Sequence, residues 1–291
     1  SHSHPDQEAA LAIGDCLAQA ARTGAFSAVR EAMRRLDELG HEQGMADAVA
    51  AARSSLADPA MLSEICASVA TDADAAIAGE ILAAAGPAGA EALLTAYTRG
   101  TAEQQSLLRP TLRAMGDQVI GVARTRMRTD DPATATSILQ TLAVLGDRRA
   151  VPIISQGLNS LNEEVRFAAI TALADTAASE AAPALMKALG HPEPETQRFA
   201  VREIGRVKAA PAVHQLTRAL EDLNVLRSHE TKKDIIWALG QIGTPDAERA
   251  LRRTAERRVV MGRKSRELRS QAREALVAID RSSKAEGADS Q

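Results

Sequence analysis

The chain has 291 residues, 45% of them hydrophobic, with only 2% aromatic and a formal net charge of −3. That is enough apolar matter for a sizeable core. The near absence of rings and the abundance of alanine disfavour a β-sandwich and suit helices that approach closely. The small net charge gives no overall case for nucleic acid. No run of about 18 apolar residues is present, so no transmembrane helix is expected, and no secretory leader pattern heads the chain.

The two cysteines, Cys16 and Cys66, form neither a CxxC pair nor a metal-ligand spacing. They read as small buried thiols of a reducing compartment, with a disulfide as the lesser alternative, and the protein is expected to be cytoplasmic. From the N-terminus, Phe26, Val29, Met33 and Leu36 make one helical stripe, and Leu62, Ile65, Cys66 and Val69 make another.

Beyond residue 71 a repeat takes over. An apolar anchor near the end of an amphipathic helix recurs at Leu82, Leu112, Leu142, Leu173, Ile204, Leu239 and Leu276, with spacings of 30, 30, 31, 31, 35 and 37. Val165 and Leu268 lie eight positions before their anchors, with Thr134, Thr196 and Thr231 in the same place. Those offsets share one helical stripe. These are the B helices. A second pattern, the A helices, runs between anchors: Val151, Ile154 and Leu158, then Leu185, Met186 and Leu189, then Val213, Leu216 and Leu220. Breakers separate A from B at 159–162 and at His191-Pro192-Glu193-Pro194. Glu103, Glu164, Glu195, Glu230 and Glu267 open B helices, where a carboxylate complements the helix dipole. The long spacings place insertions near 223–229 and 259–263, and repeat insertions map to loops on one edge. The tail from Ser282 is Ser, Lys, Glu, Gly and Asp, and is expected to be disordered.

The segment Leu145-Gly146-Asp147-Arg148-Arg149-Ala150-Val151-Pro152, followed by Glu164-Val165-Arg166-Phe167-Ala168-Ala169 and Ala172-Leu173, resembles bacterial HEAT-like repeats of the kind also found in phycobilin lyases. The resemblance covers roughly residues 72–280. It implies an all-α, right-handed α-solenoid of HEAT-like helix pairs, an armadillo-like α–α superhelix. The expected organisation is 1–71 as divergent helices and a cap, 72–281 as repeats, and 282–291 as a tail. The resemblance also implies that Arg166 pairs with Asp147 in the preceding turn.

Catalytic motifs are missing. There is no phosphate-binding glycine loop, no HExxH and no GxSxG, and no two histidines stand at i, i+4. Asp72/Asp74 and Asp130/Asp131 fit helix capping, His191 a surface turn, and His229 a capping or solvent role. DNA repair glycosylases built on HEAT-like repeats need aromatics and a carboxylate on a basic face. Trp237 and Asp234 offer that pair, but the chain holds only five aromatic residues. Neither a metal nor a cofactor is expected.

The repeat phase predicts an outward stripe on each B helix, six and two before the anchor and two after it. Successive repeats give Thr136, Gln140 and Val144; Phe167, Thr171 and Asp175; Arg198, Arg202 and Arg206; Lys233, Trp237 and Gln241; and Ser270, Glu274 and Ala278. Exposed Trp beside Arg has the composition of a binding hot spot, and Arg can stack near an indole. Phe167, Arg198, Arg202, Lys233 and Trp237 are therefore the expected partner groove, suited to an acidic or extended protein segment, unless the two rings only fill gaps between helices. A second candidate is the basic patch of Arg257, Arg258, Arg263, Lys264, Arg266 and Arg269. Residues 244–284 hold 12 Lys/Arg against 6 Asp/Glu, a net of +6, whereas residues 1–100 hold 6 against 14, a net of −8. A solvated terminal cap accounts for that patch more simply than a site for phosphate, an acidic protein surface or anionic lipid does. The expected function is a non-catalytic interaction scaffold or regulatory adaptor. The alternatives are a lyase- or chaperone-like subunit of the phycobilin-lyase type, and nucleic-acid binding through the basic end.

Overall fold

A computed structural model describes residues 25–40, 57–128, 131–176, 178–221, 228–257 and 262–288, with two isolated helical positions, Ala12 and Gln19. Every described regular element is helical. The chain divides into two compact units, Ser1–Thr129 and Asp130–Gln291.

In the first unit, α1 (Phe26–Gly40), α3 (Asp72–Ala84) and α5 (Ala102–Ala114) stack in one layer, and α2 (Pro59–Ser68), α4 (Pro87–Arg99) and α6 (Gly116–Arg126) in the other. Capping explains the starts of α3 and α5. The Thr71 hydroxyl accepts from the Asp74 amide while Asp74 reaches back to the Thr71 amide, and Thr101 and Gln104 repeat this exchange. Leu62, Ile65, Cys66 and Val69 are buried, as their stripe predicts. Burial pushes the Cys66 thiol up to about 12, which keeps it protonated and unreactive. Cys16 lies outside the described residues, as do the side chains of Phe26, Met33 and Leu36.

The second unit holds α7 (Pro132–Leu145), α9 (Glu163–Asp175), α11 (Pro194–Arg206), α13 (His229–Ile242) and α15 (Arg263–Ala288) as its B layer. The A layer is α8 (Val151–Gln156), α10 (Ala178–Ala188), α12 (Val213–Glu221) and α14 (Pro245–Ala255). The six anchors from Leu82 to Leu239 are fully buried, whereas Leu276, on the last helix, is only half-buried. The all-α solenoid of stacked helix pairs expected from the anchor phase is the architecture of each unit. Helix α15 runs through 282–288, residues read from sequence as a disordered tail, and 289–291 lie outside the described residues. Both insertions fall mainly on residues outside the description, 222–227 and 258–261.

Three B helices of this unit, α7, α11 and α13, end alike. Four residues after the anchor the backbone turns left-handed, at Gly146 (φ 65°), Lys208 (φ 51°) and Gly243 (φ 64°). There the Gly146 and Gly243 amides donate back to Leu142 and Leu239, and after Lys208 the Ala209 amide donates to Ile204. Lys208 is the one residue with a Cβ in this place, and a Cβ crowds the following carbonyl in that conformation. Lys208→Gly is expected to raise unfolding stability by up to about 1 kcal/mol, read as a higher urea midpoint.

Candidate functional site

All fifteen residues of the predicted outward stripe are exposed or half-buried, so the helical phase read from the anchors holds along the whole B layer of the second unit. What the stripe does chemically depends on its neighbours. Arg198 Nε donates to Asp234 Oδ2 at 2.7 Å, and Arg202 Nε donates to Asp234 Oδ1 at 3.0 Å. One carboxylate of α13 thus gathers two guanidinium groups of α11. Arg198 also lies 4.0 Å from Glu230, and the hydrogen bond to Asp234 raises its pKa. Arg206 reaches back to Asp175 of α9 at 2.5 Å and pairs with Glu203 on its own helix at 2.7 Å. Lys233 meets Glu267 of α15 at 3.0 Å and Glu230 at 3.4 Å. His229 Nε2 sits 3.0 Å from the same Glu267, so its place is a clasp to the next B helix rather than the capping or solvent role read from sequence. His229 first, and Lys233 second, hold the Glu267 carboxyl below its usual range.

The stripe is therefore a ladder of ion pairs running from repeat to repeat, and its cations are not an open basic surface. The acid that organises it, Asp234, lies one position off the stripe, and sequence reasoning weighed it only as a partner of Trp237. Its signal was an acidic residue between two outward positions of a helix facing three arginines.

The two rings differ. Phe167 stacks on Phe199 of α11 with ring centroids 4.3 Å apart and planes 9° from parallel, so it bridges neighbouring B helices. Phe199 was missed because it sits one step off the stripe phase. Trp237 is 44% exposed. Its indole rests on α11 at Gly205, where an added Cβ would come within 2.6 Å of the ring and 2.9 Å of the Ala238 backbone. Gly205 is thus the seat that lets the indole lie against a helix backbone.

Arg166 departs from expectation. Asp147 is occupied by Arg149, which donates from Nε at 3.0 Å. Arg166, 3% exposed, instead reaches forward to the next repeat's turn. It donates to Thr196 Oγ1 at 3.1 Å, to the Ser160 and Leu161 carbonyls at 2.9 and 3.0 Å, and to Glu193. The guanidinium starts in the first turn of α9, beside its own entry turn and the entry turn of α11, so those two supply its acceptors. Pairing Arg166 with Asp147 is corrected accordingly.

In the basic patch, Arg257, Arg263, Lys264 and Arg266 are exposed and Arg258 lies outside the described residues. Arg269 is half-buried and donates from Nε to the Ala255 carbonyl at 2.9 Å, closing the end of α14. On the A layer an open cleft of about 580 Å³ is lined by His214, Thr217, Arg249, Arg252 and Arg253 among others. Its arginines pair with Asp246, with Glu248 at 3.6 Å and with Glu221 at 3.2 Å, which balances its charge. Among the described residues no group of three or more His, Cys, Asp or Glu is placed to hold a metal, and no helix is long and apolar enough to cross a membrane.

A search of curated proteins finds no match. Among solved structures, human deoxyhypusine hydroxylase is similar at 18% identity and a TM-score of 0.40, covering 85% of this chain and 96% of that one. Kap121p is similar at 13% identity and a TM-score of 0.40, with 86% of this chain matched to 32% of that chain. The complex of CpcE and CpcF of phycocyanin lyase from Nostoc sp. PCC7120 is similar at 14% identity and a TM-score of 0.29, with 83% and 93% covered. The HEAT repeat pattern matches residues 121–193 and 182–277, which together span more than half of the sequence. The chain belongs to the HEAT repeat family.

Proposed function

We propose that the chain is a non-catalytic scaffold or regulatory adaptor of the cytoplasm, and that a protein partner docks on the outward B-helix face of its C-terminal half, the concave face of a HEAT solenoid. In this reading residues 72–281 form the binding array and 1–71 cap it. The observation that carries the proposal is Trp237, a large ring left 44% exposed on a rigid two-helix seat. Burying such a ring in a complex removes a large apolar area from water, and tryptophan and arginine are enriched among binding hot spots. Arg198 and Lys233 contribute by holding the face in register, and Phe167 by fixing α9 against α11.

The test uses a partner identified by in-cell crosslinking and then purified. The double variant Trp237→Ala, Arg202→Glu is expected to weaken the reconstituted complex by about 30-fold or more, a loss of roughly 2 kcal/mol. Unchanged affinity, with unchanged helical content, rules out this face.

A further inference from the structure

We infer that Arg202 and Trp237 form a two-point site for one carboxylate set beside an apolar side chain in an extended peptide segment, with Asp234 as the positioning residue. The inference rests on the scaffold reading and deepens it.

Arg202 is 52% exposed at its side chain and is held by one atom, Nε, on Asp234. Among the described residues its two Nη groups have no partner. Asp234 is itself pinned between two guanidinium groups and is only 15% exposed, so it fixes where the outer edge of Arg202 points. That edge offers two parallel N–H groups at the spacing of carboxylate oxygens. Preorganisation by Asp234 lowers the ordering cost of binding.

Trp237 stands one turn beyond Asp234 on α13, and Gly205 one turn beyond Arg202 on α11. Residues three apart share a helix face, and the indole lies against Gly205. The free guanidinium edge and the half-exposed ring are therefore neighbours across the α11–α13 seam. An extended chain places side chains of residues i and i+2 on one side, roughly 7 Å apart, the separation such a pair of points requires.

The rest of the stripe decides between one carboxylate and many. Arg206 is satisfied by Glu203 and Asp175, Lys233 by Glu267 and Glu230, and Arg198 by Asp234 with Glu230 behind it. A polyacidic segment would bring its further charges against Glu230, Asp175 and Glu267, where like charges repel. The face selects a single acid next to an apolar residue.

The full chain carries one tryptophan, so its emission and its indole N–H resonance report on Trp237 alone. The probes are two capped peptide mixtures with randomised uncharged flanks, one with a central Leu-Ser-Asp and the other with Leu-Ser-Asn. The Asp mixture is expected to perturb the indole at about tenfold lower concentration than the Asn mixture, the difference made by one charge-assisted hydrogen-bond pair. Arg202→Gln should bring the two mixtures within about twofold of each other. Arg202→Lys should keep part of the preference because the charge stays while the fork is lost. Asp234→Asn should narrow the preference without changing the response to the Asn mixture, which a merely structural role for Asp234 would not do. Equal responses to both mixtures in the native chain would overturn the carboxylate site and leave the scaffold reading standing. A silent indole with both would overturn the two together, and a preference that survives Arg202→Gln would remove Arg202 from the site.

Discussion

Leu173→Ala is expected to lower unfolding stability by about 2–5 kcal/mol. Leu173 is fully buried on α9, a helix that packs against α7 and α11 of its own layer and against α8 and α10 of the other. Truncation loses the transfer energy of the removed carbons and leaves a cavity that the packed surroundings close only in part. Leu276→Ala makes the same chemical change at the same repeat position on the last B helix, where the side chain is only half-buried. It should cost about 1 kcal/mol, since water already reaches part of that side chain in the folded state. Urea unfolding of the two variants beside the parent reads the contrast directly. Equal losses would mean that anchor burial does not set the energetics of the array.

Arg166→Met should cost about 2–3 kcal/mol. Methionine keeps much of the side-chain volume but donates nothing to the Ser160 and Leu161 carbonyls, and it leaves the fully buried Thr196 hydroxyl without that partner. Those acceptors then lie in a site that gives them little access to water, and each orphaned buried group carries its own desolvation penalty. Glu193, by contrast, is more than half exposed and is rehydrated once its partner is gone. Glu193→Gln is therefore expected to cost below about 1 kcal/mol. The inequality between these two changes, measured by chemical denaturation, tests whether Arg166 acts through the backbone carbonyls or through its visible ion pair.

The parts of this architecture that depend on burial were legible in the sequence. An anchor must be apolar in every repeat, so its period appears as soon as spacings are counted, and the outward stripe follows from the anchor by helix geometry alone. Pairing between helices was not legible, because it depends on how far one helix is displaced along the next. That placement decides whether Arg166 reaches back to Asp147 or forward to Glu193, and whether Arg198 and Arg202 face solvent or share Asp234. The stacking of Phe167 on Phe199 was hidden for the same reason: the two rings lie six and five positions before their own anchors. The left-handed turn after Ile204 was concealed by Lys208, which occupies a position that glycine fills after Leu142 and Leu239. For the candidate site, the exposure of the stripe was legible from the anchor phase, whereas the pairing of its cations with acids on neighbouring helices was not.

The ion-pair ladder also makes the repeats of the second unit non-interchangeable. Asp175 is matched to Arg206 one helix on, Arg198 and Arg202 to Asp234, and Lys233 to Glu267. Excising the α11 repeat would set α9 directly against α13, leaving Asp234 without its two guanidinium groups and Trp237 without the glycine beneath it. Removing or shuffling modules within this unit would break these matched pairs, whereas adding a module at its end would leave them intact.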